Sequence, residues 1–344
     1  MKKIFSLILA LAMALSLASC GQKTDAPAPG DNNSTAAEDS SSAATPVTLK
    51  FNLVKNPTDV QYEWYGRFWD DLNKASNGEI VGEIYTGESL GVTADVLEQA
   101  SHGEAVVADC DLAYLANYVP DMGAVMSPYL IQEPEQILKL WDSDVFKDLC
   151  SQLEAKGIHL IALNYEGTRN LWTKVPITSR ADVSKLKIRC AATTMWNSVV
   201  ETLGGNPTNI PMSEVYQAVS QGVVDGCEGV FSVIYSNKVY EVCKYVTLTE
   251  HLTGYTAIAM SSKVYNALSD DAKAALDQTA KDYMQEFLDL SGGVQDEFRA
   301  KLEAEGVTVN TIDKTEFIEA AKSVPDNFPE WSDGILDKLQ EALA

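Results

Sequence analysis

Arg189 is the residue in this chain whose type and place most demand a chemical explanation. It stands between Ile188 and Cys190 on a short apolar stretch preceded by Lys185-Leu186-Lys187. A charge on a core strand is costly unless it is paired, and a guanidinium offers two parallel donors to a carboxylate. Two partners are open at this level: an internal carboxylate such as Glu228 or Asp225, or the carboxylate of a bound molecule. Other chemistries have little to stand on. The three histidines, His102, His159 and His251, are not at metal-ligand spacing, and no Gly-rich phosphate loop, nucleophile elbow or His-Glu-x-x-His pattern occurs. No metal site and no cofactor are expected. The five cysteines after Cys20 (Cys110, Cys150, Cys190, Cys227, Cys243) form neither a zinc pattern nor a disulfide framework. Carboxylates are abundant, but abundance in an acidic chain is not a catalytic pair. Trp172 and Trp196 have the ring type to stack on a ligand, and each is equally at home in a core.

The elements that must hold these residues alternate between strand and helix, the α/β pattern. Strands are expected at 48–54, 79–86, 105–109, 158–163, 170–175, 187–191, 223–225, 255–260 and 307–312. Between them the apolar spacing predicts helices. Val60, Trp64, Phe68 and Leu72 recur every four residues, with Gly78 just beyond the helix they define. Pro134 opens a helix to Lys156, and Ser213 is placed to cap one over 214–221. A further helix is expected over 232–242. The region 269–305 reads as helical, with an interruption at Gly292-Gly293.

The ends and the composition bear on where the chain works. Lys2 and Lys3 precede an apolar run, Ile4 to Ala18, too short to span a bilayer and ending in small residues, as a secretory signal does. It stops at Leu17-Ala18-Ser19-Cys20-Gly21, which resembles the bacterial lipobox, so residues 1–19 are expected to be a leader and Cys20 the acylated N-terminus. Residues 21–46 contain no Val, Ile, Leu, Met or aromatic residue. Such a tether cannot bury enough apolar surface to offset its ordering entropy, and as a flexible coil it would reach about 30 Å. Loss of Lys2 and Lys3 with the leader takes the net charge from −23 to −25. A surface that acidic argues against nucleic acid and against electrostatic membrane binding, leaving the lipid as the membrane contact. The expected location is the extracytoplasmic face of the cell membrane.

Several segments in order resemble one family. They are Leu186-Lys187-Ile188-Arg189, Leu203-Gly204-Gly205-Asn206-Pro207, Pro211-Met212-Ser213-Glu214-Val215-Tyr216 and Gly222-Val223-Val224-Asp225-Gly226. The run Tyr235 to Tyr245 followed by Leu248-Thr249 joins them. Together they resemble the DctP-type substrate-binding proteins of TRAP (tripartite ATP-independent periplasmic) transporters. The resemblance implies a two-lobed, periplasmic-binding-protein-like α/β fold with a hinge, several crossings and a long C-terminal helical region. Lobe I is expected over 47–166 and 255–294, and lobe II over 167–254 and 295–344. It implies a protein that captures an organic acid and delivers it to membrane permease subunits, and that is not an enzyme. An ABC-type binding lipoprotein, a ligand-sensing lipoprotein and an exported hydrolase are the alternatives. On this resemblance Arg189 grips the ligand carboxylate, Arg169 of Gly167-Thr168-Arg169 gates or supports it, and Met212 lines the pocket where the family usually has Phe. Tyr62 and Trp64 follow the first strand, where family members place pocket residues. Cys227-Glu228-Gly229 departs from the family's usual Gln-Glu-Asn, so Glu228 is retained and Gly229 replaces an asparagine that contacts ligand.

Overall fold

The computed structural model describes residues 45–344; the leader, Cys20 and the tether up to residue 44 lie outside the described residues. Nine strands form one sheet: β1 (Val47–Leu53), β2 (Ile80–Thr86), β3 (Val106–Cys110), β4 (Ile158–Thr173), β5 (Lys187–Cys190), β6 (Asn206–Asn209), β7 (Gly226–Gly229), β8 (Tyr245–Ser261) and β9 (Thr308–Thr311). Their order is β2-β1-β3-β8-β4-β7-β5-β6, with β9 also on β8. The two long antiparallel strands organise everything else. The last residues of β8 pair with β3, and its first residues pair with β9. The last residues of β4 pair with β7, which continues through β5 to β6. So β1, β2 and β3 extend one half of the sheet and β5, β6, β7 and β9 the other, with β4 and β8 running through both.

Helices cover both faces, as a sheet with apolar faces on both sides requires. The Val60–Ala75 helix lays Trp64, Phe68, Trp69 and Leu72 onto Phe51 and Leu53 of β1, as its four-residue spacing predicts. Asp59 caps it, accepting from the Gln61 backbone N–H at 3.0 Å. The Asp270–Ala304 helix lies along the whole sheet. Its first part packs Tyr283, Met284 and Phe287 into the cluster around Phe51, and its last part packs Phe298 and Leu302 beside Trp172 and Val246. The opposite face is covered by the Thr194–Thr202, Gln136–Asp142 and Asp144–Glu154 helices. The final helix, Ile335–Leu343, packs on the latter two.

Several expectations change, among them the strand expected at 223–225, which forms instead at Gly226–Gly229. Strands 158–163 and 170–175 are a single strand, and 255–260 is the end of a much longer one. The polar run Asn164 to Asn170 hides that continuity, because its charges are satisfied by partners remote in sequence. The expected helix from Pro134 is two helices divided at Ser143, whose Oγ accepts from the Phe146 N–H at 3.3 Å and donates to the Leu140 carbonyl at 2.6 Å. The 232–242 helix ends at Ser236, and a 3-10 turn, Val239–Glu241, follows. Conversely, the long helix passes through Gly292-Gly293 without a break. Tertiary bonds hold it on either side: Ser291 Oγ donates to the Tyr165 carbonyl at 3.0 Å and Gln295 Nε2 to the Glu166 carbonyl at 2.7 Å.

The crossing itself is tight. Gly167 has φ +131°, and a Cβ there would fall 2.3 Å from the Gln295 side chain; one on Gly254, its partner in β8, would fall 2.7 Å from the Gly167 carbonyl. Glycine is what lets strand, strand and helix meet at this point. The register of β4 against β8 shifts on both sides of it, between Tyr165 and Gly167 and between Arg169 and Leu171.

Candidate functional site

A cavity of about 110 Å³ opens between the two halves of the sheet. Its walls come from the carboxyl ends of β1, β3 and β5 and from the crossing segments of β4 and β8. Carboxyl ends of parallel strands are where open α/β sheets bind ligands, because the chain leaves the sheet there and frees side chains to point into the gap.

On the β1–β3 side, Lys55 follows the last apolar residues of β1 and is buried. Its ammonium bonds Asp109 at 3.0 and 3.1 Å, Glu166 at 2.5 Å and the Thr256 hydroxyl at 2.9 Å. Burial works against its charged form, but the two carboxylates outweigh that and hold it charged. Asp109 is pushed up to about 6 because its burial outweighs the attraction of Lys55. Burial works against ionised Glu166 as well, but Lys55 and Arg169 prevail and keep its carboxyl low; it also accepts from Thr256.

Arg169 lies two residues beyond the Gly167 crossing. Its Nε and one terminal nitrogen bind the two oxygens of Glu228 on β7, at 2.5 and 2.8 Å, a fork-to-fork pair. Its other terminal nitrogen is 3.9 Å from Glu166. Behind Glu228 sits His251, fully buried, 3.6 Å away through Nε2 and bonded through Nδ1 to the Thr249 hydroxyl at 2.9 Å. Burial favours the uncharged Glu228, yet Arg169 and His251 overcome it and bring its carboxyl down to about 2. Burial lowers the His251 value and favours the neutral ring. Lys55, Glu166, Arg169 and Glu228 thus form a chain of alternating sign across the cavity floor.

Arg189 differs. On β5 it is 6 % exposed, and its Nε donates to the Ile210 carbonyl at 2.8 Å. Among the described residues it makes no ion pair: Glu228 is taken by Arg169, and Asp225 accepts from the Lys187 backbone N–H at 2.9 Å. The internal pairing left open by the local sequence is therefore not made. The guanidinium faces the cavity with its terminal nitrogens available.

Of the other residues singled out from sequence, Trp196 and half-buried Met212 line the cavity with Arg169, Arg189 and Glu228. The guanidinium of Arg169 lies 4.7 Å from the Trp196 ring centroid, and the indole donates to Asp111 at 2.7 Å. The remaining residues stand outside the wall. Trp172 is fully buried and bonds the Gly229 carbonyl at 3.0 Å, while Gly229 itself packs over Ile234. Trp64 meets Phe287 edge-on at 4.9 Å, and Tyr62 packs at the margin of the same cluster. Their helix turns them onto the core. Ser213 caps no helix; its hydroxyl meets Glu88 at 3.4 Å across the cavity mouth.

Sequence reasoning missed Lys55, Glu88, Asp109, Asp111, Tyr114 and Glu166, all in the wall. The signal that singles out Arg189, a charge within or ending an apolar strand, also marks Lys55, Asp109 and Asp111. The two halves touch across the mouth elsewhere too: Asn56 donates to Asn237 at 2.9 Å and Ser236 to Asp59 at 3.1 Å.

This geometry meets its counterpart in known proteins. The family model described as "Bacterial extracellular solute-binding protein, family 7" (DctP) matches residues 51–330. The chain belongs to this family. A TRAP periplasmic solute-binding protein from Ochrobacterium anthropi, solved with bound L-fuconate, is 34% identical, with a TM-score of 0.84 over 87% of this chain and 100% of that one. Another from a Fusobacterium, with bound sn-glycerol-3-phosphate, is 31% identical, with a TM-score of 0.83 over 86% and 96%. The C4-dicarboxylate-binding periplasmic protein DctP of Rhodobacter capsulatus is 29% identical over 75% of this chain and 77% of its own length. The family 7 fold is thus a two-lobed α/β binding fold, and its members are transport solute-binding proteins of the extracytoplasmic space.

Proposed function

We propose that this protein binds an organic acid by its carboxylate, presents it to a TRAP-type membrane permease, and does so without chemical turnover. The observation that carries the reading is Arg189: a buried guanidinium with no ion-pair partner among the described residues, facing a cavity. An isolated buried charge is costly, and a ligand carboxylate is the partner whose two oxygens match its fork. Arg169 supports the site from beside it, already neutralised by Glu228, with Trp196 and Met212 as wall. The relatives' bound L-fuconate and sn-glycerol-3-phosphate, and the C4-dicarboxylates of the Rhodobacter protein, favour a small anion as cargo.

The lobes divide at the crossing, 47–166 with 255–294 against 167–254 with 295–344, the last helix reaching back onto the first lobe. Closure about Gly167 and Gly254 expels water and strengthens the Arg189 contact. Cys20 carries the lipid that holds the protein at the membrane. Native mass spectrometry of gently purified protein tests the binding: it should carry a small acid, and Arg189→Ala protein should not. A Cys20→Ala protein should leave the membrane fraction or stay unprocessed; processing with unchanged membrane retention would refute the anchor.

A further inference from the structure

The charges in the cavity wall select among acids. Three cations and five carboxylates line it. Lys55 is bonded to Asp109 and Glu166, and Arg169 to Glu228, so both cations have their counter-charges within the protein. That leaves Arg189 as the cation without a carboxylate, among the described residues. Of the five carboxylates, Glu88 and Asp111 make no ion pair among the described residues. Arg189, Glu88, Asp111 and Tyr114 all line this one cavity.

Asp111 is occupied by the Trp196 indole at 2.7 Å and the Ala113 N–H at 2.9 Å. Glu88 is not. Its contacts, to the Thr93 N–H and hydroxyl and to the Ser213 hydroxyl, all stand at 3.4 Å, the outer limit of a hydrogen bond. Its backbone is held at φ +58°, a conformation that costs a non-glycine residue energy and recurs at ligand sites.

We propose that the ligand is a singly charged polyhydroxy acid, its carboxylate on Arg189 and its hydroxyls donating to Glu88, and that the cavity rejects dicarboxylates and phosphate monoesters. This rests on the organic-acid reading above and narrows it. A second negative group finds no unneutralised cation and meets Glu88 or Asp111 as a like charge. A hydroxyl both donates and accepts, which suits a wall mixing carboxylates with Tyr114 and Arg169 donors; an ammonium only donates.

Matched pairs of acids test this directly, since each pair differs by one terminal carboxylate: threonate and tartrate, gluconate and glucarate, galactonate and galactarate. Calorimetric titration of the mature protein should find a monoacid that binds at least roughly a hundred-fold tighter than its diacid, since like charges brought together cost several kcal/mol. Succinate and glycerol 3-phosphate should bind no better than the diacids. Glu88→Gln, folded by its melting curve, should narrow the gap by about ten-fold. A diacid, succinate or glycerol 3-phosphate binding within ten-fold of the best monoacid overturns the proposal, as does serine, a zwitterion, outcompeting the monoacids. If such a dianion binds and Arg189→Ala abolishes it, the organic-acid reading survives and only the selection fails. If Arg189→Ala binds as wild type does, or no acid of the panel binds, both fall.

Discussion

Arg169 and Arg189 line the same cavity from strands separated only by β7, Arg169 between Thr168 and Asn170 in the polar run of β4 and Arg189 between Ile188 and Cys190 on β5. Arg169 is held by Glu228 through two bonds, stacks on Trp196 and has Glu166 on its remaining side. Arg189 has a backbone carbonyl and nothing of opposite charge among the described residues. The difference lies in the neighbouring strand. β7 sets Glu228 opposite Leu171 of β4, within reach of Arg169, whereas the residue it sets opposite Arg189 is Cys227. A carboxylate one position away serves one face of β7 and not the other, because successive side chains alternate. One arginine is therefore neutralised within the protein, and the other has no counter-charge among the described residues.

The contrast is sharpest in stability. Arg169→Ala would strand a fully buried Glu228 carboxylate, and breaking a buried pair from one side costs about 3–5 kcal/mol. Arg189→Ala removes an unpaired buried charge, so without ligand the protein should be no less stable, and can gain. Urea unfolding of both variants measures this. Equal losses would erase the distinction drawn here.

Binding should invert the ranking. Truncating the protein side of a buried ligand charge pair costs about 2–5 kcal/mol, or roughly 30-fold and more in affinity. Arg189→Ala should show that loss in calorimetric titration, with Arg189→Lys recovering part of it, since an ammonium keeps the charge without the fork. A larger binding loss for folded Arg169→Ala than for Arg189→Ala would exchange their roles.

Acid should reach the paired arginine first. Glu228 has a folded value near 2 against an ordinary 4.5, so it stabilises the fold fully above 4.5, and that contribution disappears as pH falls from 4.5 toward 2. At 1.36 kcal/mol per unit the loss is about 3 kcal/mol. Asp109 acts oppositely: with a folded value near 6, it gains its proton more readily folded than unfolded, so its share of stability rises as pH falls through 6. Unfolding free energies between pH 7 and 3 should rise slightly or hold and then fall. In Arg169→Ala the acid limb should flatten; a limb as steep as wild type would mean that other carboxylates set it.

How far this was legible in the sequence differs by kind. The apolar periodicity of Val60 to Leu72 and the runs around Phe51 and Val107 announce their elements locally, and they form where expected. The continuity of β4 and β8 is not local. Asn164, Glu166 and Arg169 look like a loop until Tyr65, Lys55 and Glu228 are brought to them. The same limit governs the site. Residue type drew equal attention to Trp172 and Trp196, and only tertiary structure puts one in the core and the other in the cavity wall. Charge within or ending an apolar strand is a sign that Arg189 shares with Lys55, Asp109 and Asp111, all of which line the cavity.

Trp196 yields the smallest effect and joins the two halves of the comparison. It sits in the first turn of the Thr194–Thr202 helix, where the Thr193 hydroxyl accepts from its backbone N–H at 3.1 Å. Its ring faces Arg169, and its indole N–H crosses to Asp111 at the end of β3. Trp196→Phe keeps an aromatic face for the guanidinium but removes that crossing bond. Asp111, whose burial already raises its carboxyl, loses a donor and should rise further. A hydrogen bond to a charged group contributes about 1.5–3 kcal/mol, part of which water recovers when the halves separate, so the net loss should be about 1 kcal/mol. That corresponds to roughly five-fold weaker binding. Because the bond spans the cavity, the loss should fall on closure. Small-angle scattering at sub-saturating ligand should show a more expanded average than wild type, and saturation should restore the compact profile. Five-fold weaker binding with unchanged scattering would make Trp196 a wall residue only, and the Asp111 bond a consequence of closure with no part in driving it.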